Sequence, residues 1–429
     1  MTEHTTCVIA GGGPAGMVLG LLLARGGVDV TVLEKHGDFL RDFRGDTVHP
    51  STLELLDELG LGERFAALPH SRVDEVALPD VHGDRVVLAD LTRLRVPFPY
   101  IAMVPQWDLL NLLAEAGEEE PHFTLRMNTE VTGLTRRGGV VTGVRYRDRD
   151  GGGGEGELRA DLTVGADGRT STVRAASGLR PHETRVPFDA WWLRLPRRPD
   201  DGMEALQAAA APGRLSVVIP RRDYYQIAYL IPKGTDAELR AQGIGRFAER
   251  LAECLPALAD RVGTLTSMDD VKFLDVRLDR LHRWHLPGLL CIGDAAHSMS
   301  PAGGVGINLA VQDAVAAAGI LAEPLREGHP SVRDLARVHR RRWPATVLVQ
   351  GLQQLIHRNV IGPVLERRRT GPPEALTALV KRFPQVGIVP AYVVGVGVRP
   401  EHTPEFARRP STVDPVTPNG ISPAPRSPK

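Results

Sequence analysis

Cysteine is scarce in this chain. Only Cys7, Cys254 and Cys291 occur among 429 residues, scattered and without a CxxC pair. That excludes a disulfide framework and a redox dithiol, and the apolar runs around Cys7 and Cys291 read as core strands. Net charge is also missing: Lys+Arg and Asp+Glu both count 52. No field of one sign therefore draws the chain to nucleic acid or to an anionic membrane. No apolar run reaches membrane-spanning length, and the N-terminus enters a strand pattern at once, which leaves no room for a signal peptide. A cytoplasmic location is the expectation. Internal repeats are absent, and the length gives room for two or three domains. Oligomeric state is not legible.

Against these absences glycine stands out, above all in residues 5–34, TTCVIAGGGPAGMVLGLLLARGGVDVTVLE. A short apolar run leads into Gly11-Gly12-Gly13-Pro14-Ala15-Gly16, a helix-length apolar stretch follows, and a second run ends at Glu34 and Lys35. The pattern predicts strand, turn, helix and strand, with a role for each glycine of the fingerprint. Gly11 permits the tight turn, Gly13 admits a pyrophosphate, and Gly16 allows close helix–strand packing. The helix N-terminus offers unpaired N–H groups and a partial positive charge to phosphates. Glu34 can accept hydrogen bonds from the hydroxyls of an adenosine ribose. An ADP-containing ligand follows, with FAD and NAD not distinguished.

Further along, Ser51 with Glu54 reads as a capping box opening a helix to Leu59. Residues 73–91 read as two strands turned at His82-Gly83-Asp84, and residues 104–114 as a helix entered through Pro105. Strand alternation fills 121–148, with a glycine loop at 151–154. A strand ends in Asp167-Gly168 and another in Gly293-Asp294. Residues 187–195, 215–219 and 224–232 are strands. Phe247, Leu251, Leu255 and Leu258 share one helix face. Residues 301–308 open a long helix to about Leu321, and helical patterns continue over 331–358 and 373–382. From Arg399 onward the Pro-, Ser- and Thr-rich chain reads as a disordered tail.

Three stretches, GGGPAG with Glu34, DGRTSTVR at 167–174 and GDAAHSMSPAGGVGIN at 293–308, together resemble the single-component flavoprotein aromatic hydroxylases. The resemblance covers residues 5 to about 321. It implies an α/β chain of para-hydroxybenzoate hydroxylase-like fold: a Rossmann-like FAD-binding domain with an inserted β-sheet-rich substrate domain and C-terminal helices. The FAD-binding domain takes 1–70, 100–182 and 283–345, and the substrate domain 71–99 and 183–282. A helical segment occupies 346–398, and the tail 399–429. The implied activity is a monooxygenase that uses FAD, NADH or NADPH, and O2 to hydroxylate an aromatic or polyketide-like small molecule through a flavin C4a-hydroperoxide. By position Glu34 holds the ribose and Asp294 the ribityl chain. Arg44 and Gln106 resemble further FAD contacts, the backbone at Val131 lies near adenine, and Asp167-Gly168 serves both FAD and nicotinamide. Gly304, Val305, Gly306, Ile307 and Asn308 would bring backbone N–H groups to the flavin's pyrimidine edge, with Pro301 as a stiff wall.

His297 reads as a framework residue, and no metal site is expected. On the inserted strands, Trp192, Arg194, Tyr224 and Gln226 share mixed-polarity faces and are taken to face substrate. Arg194 either binds an acidic substrate group or is solvated, and His49 is a further pocket candidate. A reductase or epoxidase of the same fold, or a non-catalytic relative sheltering a reactive intermediate, is the alternative. The apolar stretch holding Leu352, Leu355, Ile356, Val360 and Val364 reads as a packed helix or an amphipathic membrane contact.

Overall fold

The computed structural model describes residues 3–40, 46–79, 85–150, 153–201, 206–369 and 373–410. In chain order, β1 (Glu3–Ala10), α1 (Pro14–Arg25) and β2 (Val30–Leu33) form the expected opening unit, followed by α2 (Pro50–Glu58). A hairpin of β3 (Glu75–Pro79) and β4 (Arg85–Asp90) precedes α3 (Gln106–Glu118). Then come β5 (Phe123–Arg126), β6 (Thr129–Arg137), β7 (Val140–Asp148), β8 (Glu155–Gly165) and α4 (Thr172–Ser177). The next group is β9 (Phe188–Pro196), β10 (Gln207–Ala211), β11 (Arg214–Pro220), β12 (Tyr224–Pro232), α5 (Gly243–Cys254) and β13 (Lys272–Leu274). The chain returns through β14 (His285–Leu286), β15 (Leu289–Cys291), α6 (Gly306–Arg326) and α7 (Val332–Ile356), and ends in α8 (Glu374–Arg382) and α9 (Ile388–Gly395).

Two large sheets organise these elements. The first has the order β14-β15-β8-β1-β2-β5, with β7 pairing β8 and β6 pairing β7. Its β15, β8, β1, β2 and β5 run parallel, so their carboxyl ends open on one side. Both faces are covered, which suits the near-continuous apolar runs of β1 and β2. The second sheet has the order β13-β9-β12-β11-β10-β3-β4 and is antiparallel except where β10 meets β3. One face packs Trp191, Leu193, Leu195, Tyr225, Ile227 and Tyr229 against Phe247 and Leu251 of α5. The other face turns toward the first sheet's loops, because Trp192 packs with Met299, Val305 and Leu309.

Several expectations need correction. Ser51 is no cap: α2 starts at Pro50, whose fixed φ suits a first helical position, and His49 precedes it. The Ser51 hydroxyl instead donates to Asn308 Oδ1 at 2.8 Å. The α5 helix stops at Cys254, since Pro256 cannot continue it, and Leu255 and Leu258 fall in the turns beyond. The Gln207–Ala211 strand has an alanine-rich sequence with no strand signal, and pairing with β11 creates it. The helix from 306 runs on through Pro324 to Arg326. Val364 and Ile361 are core residues packed with Phe188 and Leu230, while Leu355 is exposed. No helix among the described residues is long and apolar enough to cross a membrane.

The segment expected as a disordered tail is packed as far as Pro410. Phe406 sits against α1, Ala407 is fully buried, and the Ala407 carbonyl accepts from Arg25 at 3.1 Å. Glu401 receives two bonds from Arg341, and the Thr403 N–H donates to Glu58 at 2.8 Å. Ionic anchors replace the missing apolar content, which is why composition alone misread this strap. Arg44, the turn at 82–84, Gly151-Gly152 and residues 411–429 lie outside the described residues.

Candidate active site

Adjacent parallel strands bring three loops together. Gly11–Gly13 follows β1, Ala166-Asp167-Gly168 follows β8, and Gly293-Asp294 follows β15. Gly11 has φ +104°, and a Cβ there would lie 2.5 Å from the Ala166 carbonyl oxygen. A Cβ at Gly16 would lie 2.0 Å from the Gly11 carbonyl oxygen, so both glycines are sterically required. Gly13 differs: a Cβ there, or at Gly168, would meet nothing within 4 Å. Both border open space, and α1 begins there with Pro14 and without a side-chain cap. Its unpaired first-turn N–H groups therefore face a cradle of the right kind for a pyrophosphate, which fits a dinucleotide cofactor.

Glu34 is buried at the end of β2, with Oε2 accepting from Gly12 N–H (2.9 Å) and Oε1 from His36 N–H (3.0 Å). Lys35 beside it is exposed. The Glu34 carbonyl accepts from Thr129 N–H at 2.8 Å, which places the start of β6, and with it Val131, beside Glu34. Gly293 has φ +56° and sits against Ala15 and Ala310, so α1, α6 and the Gly-Asp turn converge there. The Asp294 carboxylate keeps partial exposure and lies 3.9 Å from Arg169; burial of its surroundings raises its pKa above the ordinary value, and Arg169 opposes this. Asp167 is committed to α4: it accepts from the Ser171 hydroxyl at 2.5 Å and from Val173 N–H at 3.0 Å.

His297 is buried and held by a carboxylate. Its Nε2 lies 2.6 Å from Asp313 Oδ2, which also accepts from Gly293 N–H at 3.1 Å. Asp313 Oδ1 accepts from Arg342 Nε at 3.1 Å, and Arg342 bonds Glu401 of the strap at 3.3 Å. Burial alone would raise the Asp313 pKa, yet His297, Arg342 and the Gly293 N–H together hold it below the usual carboxylate range. Sequence reasoning missed Asp313 and Arg342. The available signal was a lone acid in the apolar run AVQDAVAAAG, since a buried charge requires a partner.

At the start of α6, Gly303 (φ +85°) and Gly304 (φ +65°) turn the chain beside Pro301. The Gly304 carbonyl accepts from Thr47 Oγ1 (2.9 Å) and His49 Nε2 (3.0 Å). Because the peptide is trans, the Val305 N–H points the opposite way, alongside the uncapped N–H groups of Gly306, Ile307 and Asn308. His49 is wholly buried, and that burial lowers its pKa to about 4. The Asn308 carboxamide oxygen accepts from the Ser51 and Thr52 hydroxyls.

The facing wall belongs to the second sheet. Arg194 pairs with Gln226 in register, and Trp192 with Ala228. Arg194 lies 4.5 Å over the Tyr224 ring. Gln226 accepts from Arg221 Nε and Nη2, and Arg221 Nη2 also contacts Asp46 Oδ2 at 2.5 Å. Asp46 in turn accepts from the backbone N–H of Gln106. The structure thus brings Trp192, Arg194, Tyr224 and Gln226 onto one surface and adds Arg221 and Asp46. Arg221 Nη1 and Trp192 Nε1 are buried without a hydrogen-bond partner among the described residues. Elsewhere, Glu54, Glu58 and His402 are the one grouping of metal-ligating side chains among the described residues. Glu58 there already accepts from Thr403 N–H and Arg408 to anchor the strap.

The FAD binding domain family matches residues 4–350. The chain belongs to this family. It is 36% identical over 385 residues to 6-methylpretetramide 4-monooxygenase of Streptomyces rimosus, covering 89% of this chain and 90% of that protein. It is 29% identical to a 12-dehydrotetracycline 5-monooxygenase/anhydrotetracycline 6-monooxygenase of the same species, over 89% of this chain and 77% of that one. Among solved structures, a probable FAD-dependent monooxygenase of Pseudomonas aeruginosa shares the fold with TM-score 0.70 at 22% identity, over 86% of this chain and 98% of that one. This protein is an FAD-dependent monooxygenase that takes its electrons from NAD(P)H and inserts oxygen from O2 into a small molecule.

Proposed function

We propose that the substrate is a polycyclic aromatic polyketide carrying phenolic or enolic oxygens, bound between the Trp192 face and the 301–305 turn, in a cytoplasmic enzyme supplied with NAD(P)H. The observation that carries this is the mixed wall. An apolar surface built from Trp192, Val217 and Ala228 adjoins a buried guanidinium, Arg221, whose Nη1 has no hydrogen-bond partner among the described residues. A flat apolar ring system matches the first part, and an oxygen on its rim matches the second. The names of the relatives favour the same class.

Within this reading Glu34 holds the ribose, the α1 N-terminus the pyrophosphate and Asp294 the ribityl chain. Bound FAD supplies the oxygen-activating chemistry. The chain's own residues bind, orient and shield. Thr47 and His49 fix the Gly304 carbonyl so that the Val305 N–H faces the ring's pyrimidine edge, and the start of α6 adds partial positive charge without a full cation. Neutral His49 keeps the floor free of an extra charge. Arg44 and Gln106 are proposed as further FAD contacts. In balance, substrate, O2, NAD(P)H and a proton yield hydroxylated substrate, NAD(P)+ and water.

The test is turnover of a panel of phenolic polycycles under isotopically heavy O2. One heavy oxygen in the product is expected. Product lacking the label, or NAD(P)H consumption matched to substrate without O2, would reject the reading in favour of a reductase. Asp294→Ala should weaken FAD retention about tenfold, near 1.4 kcal/mol. An unchanged FAD dissociation constant would remove Asp294 from the cofactor site.

A further inference from the structure

The α7 helix carries a row of buried polar side chains that the reaction does not obviously need. Gln350, Gln353 and His357 follow at spacings of three and four, so they share one face, and all are at most 2% exposed. That face grips the backbone leading into Pro301. Gln350 Nε2 donates to the Asp279 carbonyl (2.7 Å) and the Ser298 carbonyl (3.2 Å). Gln353 Nε2 donates to the carbonyls of Ser300 and Ala302, both at 2.9 Å, while its Oε1 accepts from Ser300 N–H at 3.2 Å. His357 Nε2 lies 2.9 Å from the Ser300 hydroxyl, which also accepts from Ala302 N–H at 3.2 Å.

His357 opens a π-helical turn, His357–Ile361, at the end of this row. Such turns insert one extra residue and re-aim a side chain, and they concentrate at functional sites. The imidazole edge is pinned against the Phe188 ring, 5.2 Å away and nearly perpendicular. Burial lowers the His357 pKa to about 4, so it acts as a neutral hydrogen-bonding group.

With the Ser300 and Ala302 carbonyls drawn into α7, the Gly303 N–H points away from α7, because each peptide is trans. The next carbonyl, that of Gly304, is fixed separately by Thr47 and His49. We propose that Gln353 and His357 are positioning residues that set the backbone dipoles of Ser300–Gly303 against the flavin ring. They thereby tune how strongly the site favours the negatively charged reduced ring over the oxidised one. This rests on the placement of FAD along Pro301–Asn308 given above.

The test uses the purified FAD-loaded protein and four variants: Gln353→Met, Gln353→Glu, His357→Phe and His357→Gln. The readouts are FAD stoichiometry, melting temperature, visible flavin spectrum and two-electron midpoint potential. Gln353→Met and Gln353→Glu should retain FAD with an altered spectrum. Their preference for reduced over oxidised flavin should fall about tenfold, read as a potential more negative by about 30 mV. His357→Phe should move the same way, and His357→Gln, which can still bond Ser300, should restore the original value. Should the Gln353 variants fail to fold, the His357 pair decides. Retained FAD with unchanged potential and spectrum would overturn the proposal and leave the site reading intact. Hydrogen exchange separates the two: absence of FAD-dependent protection over 300–308 would overturn the flavin placement itself, and this inference with it.

Discussion

Asp313→Ala should destabilise the protein by about 3–5 kcal/mol and release FAD, the largest effect expected of any single side chain here. Asp313 is fully buried and serves three donors: Gly293 N–H, His297 and Arg342. Its removal leaves the Arg342 guanidinium, itself only 2% exposed, with Glu401 as its one counter-charge among the described residues. It also frees the Gly293 N–H at a residue held with positive φ directly before Asp294. Denaturant unfolding gives the stability loss, and flavin absorbance after gel filtration gives retained FAD. Asp313→Asn keeps the shape and one acceptor and should fall between the two. A stability change under about 1 kcal/mol for the alanine variant would show that this network carries no net weight.

The second large effect is a loss of stability in mild acid. His49, His285 and His357 all have folded pKa values lowered to about 4, with burial the leading cause in each case. Their ordinary value is 6.5. Between these limits the unfolded chain binds protons that the folded chain does not, so stability falls as pH drops. The contribution is intact above about pH 6.5, decays through the window to about pH 4, and changes no further below it. For His49, wholly enclosed, the full difference is on the order of 3 kcal/mol. Melting temperature should decline across this window, and His285→Gln should flatten the decline. A melting temperature constant from about pH 7 to 4.5 would contradict it.

The sequence revealed the parts of the fold that local chemistry dictates. Strand, glycine turn and helix at the N-terminus, and the Gly-Asp and glycine-rich stretches before α6, each carry their constraint in a few adjacent residues. The division of the inserted sheet into two faces was also readable, because Trp192 and Gln226 alternate with the apolar set that α5 covers. What stayed hidden depends on distant partners. Arg221 looks like a turn residue until Asp46 lies against it. Asp313, Gln353 and His357 look like interruptions of helical patterns until the loop they hold is folded onto them. The strap looked disordered because its anchoring depends on Glu58, Arg341 and Arg25, far away in the chain.

The central position of β8 has a consequence for synthesis on the ribosome. One side of β8 pairs with β1, already made, but its last three residues, Thr163–Gly165, wait for β15, and five of the seven strands of the second sheet are translated in between. Until residue 291 emerges, that stretch of β8 is an open edge with unpaired backbone groups, a template for wrong pairing. The inserted sheet must therefore fold inside an unfinished domain, and the nucleotide cradle closes only after it. Long-range pairing of this kind is slow. The growing chain is exposed to misassembly while residues 166 to 291 are added, and its yield in a cell will depend more on the pace of translation and on chaperones than on the stability of the finished fold.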